Sequence, residues 1–268
     1  LPAVACCNLW IGLGLAFWLF LAVVGALAER SPPSPRPDIS TGLAALLIRV
    51  YLRVWHGMRV EGQENLAAAV AVLNGERGKA RGLVVTANHT AGIDPLLVQS
   101  AAPFFIRWMA AADTVSPTIQ PFVEFADVVF VNSAGEGGSE LTGVRDAIRY
   151  VQGDPGHSYT HGKPGVLGLF PEGRIARRRG VITPFQPGIG LIIARSKGVV
   201  LPVVLRGVPV RDNTYRSFFV PSRSRVVFMP PIDYVALGTK AGAIVGDLQG
   251  RYEKWVGPVA PPLGRTKK

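Results

Sequence analysis

The sequence predicts an α/β domain with a mostly parallel central sheet flanked by helices. Three observations predict it. From residue 60 onward, short apolar runs of strand length alternate with stretches of helical periodicity. The chemically distinctive residues follow the ends of those runs, where ligand sites of open α/β sheets lie. Glycine- and proline-rich connections separate the runs, as turns require.

The first apolar segment precedes the domain. Residues 1–28 carry no charged side chain, and the densest part runs from Leu9 to Ala28, LWIGLGLAFWLFLAVVGALA. As a helix it spans roughly 30 Å, the hydrocarbon thickness of a bilayer. A spanning or deeply inserted helix is the leading reading. A signal peptide is second, because Ala26-Leu27-Ala28 resembles a small-residue cleavage site. A buried core helix is third. Residues 31–38, SPPSPRPD, form a stiff extended linker.

Residues 41–55, TGLAALLIRVYLRVW, place Leu43, Leu46, Leu47, Val50 and Val54 at helical spacing. Arg49 and Arg53 stand four apart and share a face. Such a helix can lie in the headgroup plane or pack on the domain as an ordinary amphipathic helix. Between Glu29 and Val60 there are five arginines against two acids, which by the positive-inside rule sets this side in the cytoplasm.

The domain follows. Residues 82–86 (GLVVT) read as a buried strand. Residues 95–100 start a helix with Asp94 as its N-cap and Pro95 at the favoured first position. Residues 128–131 (VVFV) are a strand and 139–151 a helix. Residues 166–170 (VLGLF) are a strand, 188–196 a helix, 199–205 (VVLPVVL) a strand, 225–229 a late strand and 241–255 a last amphipathic helix. The connection 132–138 (NSAGEGG) stands out as a flexible loop, 153–165 (GDPGHSYTHGKPG) as a longer glycine- and proline-rich excursion, and residues 258–268 as a flexible tail.

Composition narrows the function. A hydrophobic fraction of 48% with 18% charged residues excludes a disordered chain. The net charge of +11 favours an anionic partner. No recognition fold or aromatic–basic interleaving supports nucleic acid, so an anionic phospholipid membrane is the expected partner. The two cysteines are adjacent, Cys6 and Cys7, and form neither a disulfide framework nor a zinc site. His157 and His161 sit in a glycine-rich loop without the HExxH pattern, so no metal is expected.

Two motifs carry chemistry. Asn88-His89-Thr90-Ala91-Gly92-Ile93-Asp94 follows the strand at 82–86. A carboxylate five residues after a histidine, across a glycine-containing turn, can hold one ring nitrogen and leave the other free as a base. A plainer reading stands beside it: Asp94 caps its helix and His89 is a satisfied turn histidine. By itself the spacing favours that second reading. Phe170-Pro171-Glu172-Gly173-Arg174 follows the strand at 166–170. Arg174 can grip a phosphate, while Glu172 can hold a hydroxyl or orient the arginine. A surface turn with a Glu–Arg pair is the alternative.

Taken together, NHxxxxD followed about eighty residues later by FPEG resembles the glycerolipid acyltransferases, the family of bacterial 1-acylglycerol-3-phosphate acyltransferase. The likeness extends over residues 55–210, including WHGMRVEGQENL at 55–66, Phe130 and LPVVLRG at 201–207. It implies an N-terminal two-helix membrane-attachment segment over residues 1–55 and an acyltransferase domain over 56–257. It implies His89 as the base that deprotonates the acceptor hydroxyl and Asp94 as its orienter. Phe170, Pro171, Glu172, Gly173 and Arg174 would bind substrate, with Arg177 as a further or substitute phosphate ligand. The donor would be an acyl thioester of coenzyme A or acyl carrier protein, with no cofactor, and the acceptor a lysophospholipid. The chain departs from the family pattern at two places. Ser133 stands where the second block has its arginine. FPEGRIAR replaces FPEGTRS, so Arg174 sits one position early. Both departures resemble the lysophosphatidylethanolamine acyltransferase branch.

Overall fold

A computed structural model describes residues 18, 21–23, 39–76, 78–111, 127–131, 139–157, 162–211 and 213–261. In chain order the elements are α1 (Ile39–Val54), β1 (Arg59–Glu61), α2 (Gln63–Asn74), β2 (Leu83–Ala87), α3 (Asp94–Ala101), β3 (Arg107–Ala111) and β4 (Val129–Val131). Then come α4 (Ser139–Gln152), β5 (Val166–Leu169), α5 (Gly188–Ser196), β6 (Val199–Arg206), α6 (Arg216–Phe219), β7 (Arg225–Phe228) and α7 (Ala241–Trp255).

The strands form one sheet in the order β1-β7-β6-β2-β5-β3-β4. The run from β6 to β4 is parallel throughout. β7 is antiparallel to β6, and β1 is parallel to β7, so this edge pair is reversed. The expected mostly parallel sheet is therefore what forms.

Every residue of β2 is buried, as a parallel strand covered on both faces must be. Leu83, Val85 and Ala87 point into a core shared with Leu52 of α1, Ala69 of α2 and Leu97 and Val98 of α3. Val84 points the other way, into a core with Val151 of α4, Ile192 and Ile193 of α5 and Leu248 and Tyr252 of α7. The side-chain period of two thus builds two cores from one strand. Each fully buried leucine or isoleucine contributes about 1.5–3 kcal/mol.

Several expectations change. The helix after the first motif begins at Asp94 itself, with Ile93 in the cap position. Pro258 to Ala260, expected as the start of a flexible tail, instead run beside Ile182: Ile182 N–H donates to Pro258 O, and Ala260 N–H to Ile182 O. Backbone pairing of this kind holds a terminus that lacks a helix or strand of its own. Four elements carry weak local signals and have no counterpart in the sequence reading: β1, α2, β3 and α6.

Most of the apolar run 9–28, the linker 31–38, the loop 132–138 with Ser133, His161 and the last residues 262–268 lie outside the described residues. Among the described residues no helix is long and apolar enough to cross a membrane. Helix α1 packs one side on the domain through Leu52 and Ile48, and Arg49 Nε donates to Ser100 O at 3.3 Å. Its other side leaves Leu47, Val50 and Val54 in solvent.

Candidate active site

The parallel pairing of β2 with β5 sets Thr86 opposite Leu169. The chain leaves both strands at the same end of the sheet, so the two motifs meet there. Asn88 continues β2 with its side chain: Nδ2 donates to Leu205 O, and Oδ1 accepts from Leu205 N–H. This amide pair ties the turn to β6 as one more rung of the sheet.

His89 Nδ1 lies 2.9 Å from Asp94 Oδ2. The same oxygen accepts the N–H of Thr90 at 2.6 Å and of Ala91 at 2.9 Å. Asp94 therefore turns back into the loop and does not cap its helix, where Pro95 removes one of the donors a cap would use. An ionised carboxylate only accepts, so Nδ1 carries the proton and Nε2 keeps its lone pair. Asp94 is fully buried while the His89 side chain keeps 16% of its surface exposed. Among the described residues Nε2 has no hydrogen-bond partner.

The second motif builds the wall beside it. Phe170 stacks on the His89 ring, with centroids 3.9 Å apart and planes 18° from parallel. Pro171 is buried, and its carbonyl accepts Gln186 N–H. Gly173 N–H donates back to Phe170 O, closing the turn. Gly173 has φ of 66°, and a Cβ there would stand 2.9 Å from Gln186 Cγ, so the turn needs glycine.

Glu172 faces inward. Its Oε1 accepts His89 N–H at 2.7 Å, and its Oε2 accepts Thr183 N–H at 2.7 Å and the Thr183 hydroxyl at 2.8 Å. It is 1% exposed. Burial pushes its carboxyl above the usual carboxylate range, against the pull of these donors. Both carboxylate oxygens are thus engaged by the protein's own donors, two backbone N–H groups and the Thr183 hydroxyl.

The arginines stay outside. Arg174, Arg177 and Arg179 are exposed and Arg178 is half-buried. None of the four forms an ion pair among the described residues. Ala176 N–H donates to His89 O at 2.7 Å, which hangs this loop directly on the histidine. Arg177 sits at φ of 53°, a conformation that costs a residue with a Cβ about 1–2 kcal/mol.

His157 belongs to a different place. Its Nε2 lies 2.9 Å from Asp146 Oδ1, and Asp146 also binds Arg107. No cluster of metal-ligating side chains occurs among the described residues. The sequence reading passes over Thr183, the role of Asn88, and Trp108, which stacks on Phe170 at 4.7 Å. Trp108 lies in FFIRWMAA at 104–111, a stretch of strand length whose apolar run is broken by Arg107. Thr183 has no local signal, since its partner is distant in sequence.

The family described as Acyltransferase matches residues 57–206, more than half of the 268 residues. No curated protein matches the chain. Among solved structures, the 1-acyl-sn-glycerophosphate (LPA) acyltransferase PlsC from Thermotoga maritima is similar, with a TM-score of 0.57 and 17% identity. The alignment covers 82% of this chain and 81% of that one. At that identity the likeness shows a common fold.

Proposed function

This chain belongs to the acyltransferase family, and from that premise we propose that it acylates the free hydroxyl of a lysophospholipid. The observation that carries the reading is the 2.9 Å contact of His89 Nδ1 with Asp94, which leaves Nε2 without a partner among the described residues on a partly exposed ring. His89 Nε2 takes the proton of the acceptor hydroxyl as its oxygen attacks the thioester carbonyl. The tetrahedral intermediate expels the thiolate, which takes that proton back from His89. The products are the acylated phospholipid and a free thiol of coenzyme A or acyl carrier protein. Asp94 stabilises the imidazolium that forms in between.

Arg174 and Arg177, exposed on the loop whose Ala176 N–H donates to His89 O and without an ion pair among the described residues, suit a phosphate headgroup. The acceptor we favour is 1-acylglycerol-3-phosphate, giving phosphatidic acid. The printed name of the Thermotoga maritima neighbour supports that choice. The early position of Arg174 favours a second acceptor, lysophosphatidylethanolamine. The reaction takes place at the cytoplasmic surface of an anionic membrane. Val54 and Phe219, 78% and 76% exposed, lie on one apolar surface with Trp55, whose Nε1 donates to Phe219 O. Apolar side chains beside the exposed Arg53 and Arg216 suit a headgroup boundary.

The test is a panel of lysophospholipids offered with labelled acyl-CoA and acyl carrier protein donors. Product with lysophosphatidate that vanishes in His89→Ala supports the reading. Product only with lysophosphatidylethanolamine selects the second acceptor. No product with any pair of substrates would leave a non-catalytic lipid-binding protein.

A further inference from the structure

We propose that Trp108 of β3 is a positioning residue for His89 and acts through Phe170. The inference rests on the reading of His89 as the base and adds what holds its ring in plane. Asp94 fixes one ring nitrogen, but a single hydrogen bond leaves the imidazole free to swing about that bond. Swinging moves Nε2, and a displacement near 1 Å at a reacting atom can cost about 10²-fold in rate.

The plane is held by a stack of three rings. His89 lies over Phe170 at 3.9 Å and 18°. Trp108 lies over Phe170 at 4.7 Å and 10°. Two rings cannot share one face of a phenyl group at these distances, so Phe170 is held between them. Without Trp108 no other ring of the described residues would lie against its far face, and the stack on His89 would loosen. Stacked aromatic pairs are stabilised beyond their area burial, and their geometry is specific.

The backbone is shaped for this stack. β3 pairs with β5 in the register Trp108 to Gly168. A Cβ at Gly168 would come within 2.6 Å of Trp108 Cε3 and 2.7 Å of Cδ2. The indole therefore lies flat across β5 where a side chain is missing. Phe170 follows Gly168 by two residues and so faces the same side. Arg107, the preceding residue, is itself buried and is anchored by ion pairs with Asp127 at 2.8 Å and with the more exposed Asp146 at 2.8 Å. That network holds β3 and, with it, the base of the stack.

Trp108 is also a poor choice for simple filling. It is 7% exposed, and its indole N–H is buried without a partner among the described residues. A phenylalanine or leucine would fill core without stranding a donor. What those side chains supply differs: phenylalanine keeps a flat ring against Phe170, and leucine does not.

The experiment compares Trp108→Leu with Trp108→Phe in the full chain, below the melting temperature of both. It reads kcat, KM and the proton resonance of the His89 ring. The chain has four histidines, and His89→Ala assigns the resonance. We expect Trp108→Leu to lower kcat about 10-fold with KM nearly unchanged, and to move the His89 resonance as the ring current of Phe170 is lost. Trp108→Phe should restore both. An unmoved resonance in Trp108→Leu overturns the inference, as does a moved resonance with unchanged kcat. If the wild-type protein transfers no acyl group, the enzymatic reading fails instead, and the resonance alone decides whether Trp108 positions His89.

Discussion

The backbone N–H of His89 donates to Glu172 Oε1 at 2.7 Å, across 83 residues of sequence. The other carboxylate oxygen takes two donors from Thr183. A glutamine at 172 must turn its NH2 toward one of these donor groups. We expect Glu172→Gln to lower stability by about 1–3 kcal/mol in urea unfolding. Turnover should fall with little change in KM, because His89 shifts while the arginine loop stays exposed. Unchanged turnover would count against this role for Glu172.

Asp94→Asn separates charge from geometry. All three donors converge on Oδ2, and Oδ1 is buried without a partner among the described residues. An amide oxygen can keep the three bonds, so this variant should fold. It loses the charge that stabilises the imidazolium, and kcat should fall about 10²–10⁴-fold. Asp94→Ala strands two buried N–H groups and should also lower the melting temperature. A fully active Asp94→Asn protein would contradict base catalysis by this pair.

Arg177 combines strain with charge. At φ of 53°, Arg177→Gly relieves about 1 kcal/mol of backbone strain, and Arg177→Ala does not. Both remove an exposed cation from the loop that Ala176 ties to His89. We expect both to raise KM for a phosphate-bearing acceptor, and only the glycine variant to raise the melting temperature. Equal KM values in wild type and variants would remove Arg177 from the acceptor site.

The surface around α1 gives a separate test. Replacing Val54 and Phe219 with serine touches exposed side chains only. Co-sedimentation with anionic phospholipid vesicles should weaken by several fold, while folding remains as in the wild type. Undiminished binding would place the membrane contact elsewhere.

Arg81 supplies a pH test. Its hydrogen bond holds the Asp233 carboxyl below the usual carboxylate range. A depressed acid contributes stability above its unfolded pKa and loses it as pH falls through the folded value. Both side chains are about a third exposed, so the contribution is at most about 1 kcal/mol. The stability gap between wild type and Arg81→Met should close as the solution is acidified. A gap that widens on acidification would reverse the sign.

Much of the fold was legible because its central strands are short and apolar and its late helices have a clear period. The helices at 188–196 and 241–255 form with the bounds their patterns predict. β1 has only three residues, too few for a period to emerge, and it exists because β7 pairs with it. β3 holds a charged residue, Arg107, whose burial depends on Asp127 and Asp146. No local pattern announces an arginine inside a core.

By itself, the sequence determined the alternation of strands and helices and the two motifs. Periodicity and residue type are local properties. The tertiary structure decided what the motif residues do. Spacing left Asp94 free to cap its helix or to hold His89, and only the turn's path sends its carboxylate backward. The motif leaves Glu172 open to hold a hydroxyl or orient the arginine, and the pairing of β2 with β5 brings the His89 N–H to it. Trp108 gains its place from the register with Gly168. Each of these roles depends on a partner that pairing and packing deliver from elsewhere in the chain or the turn.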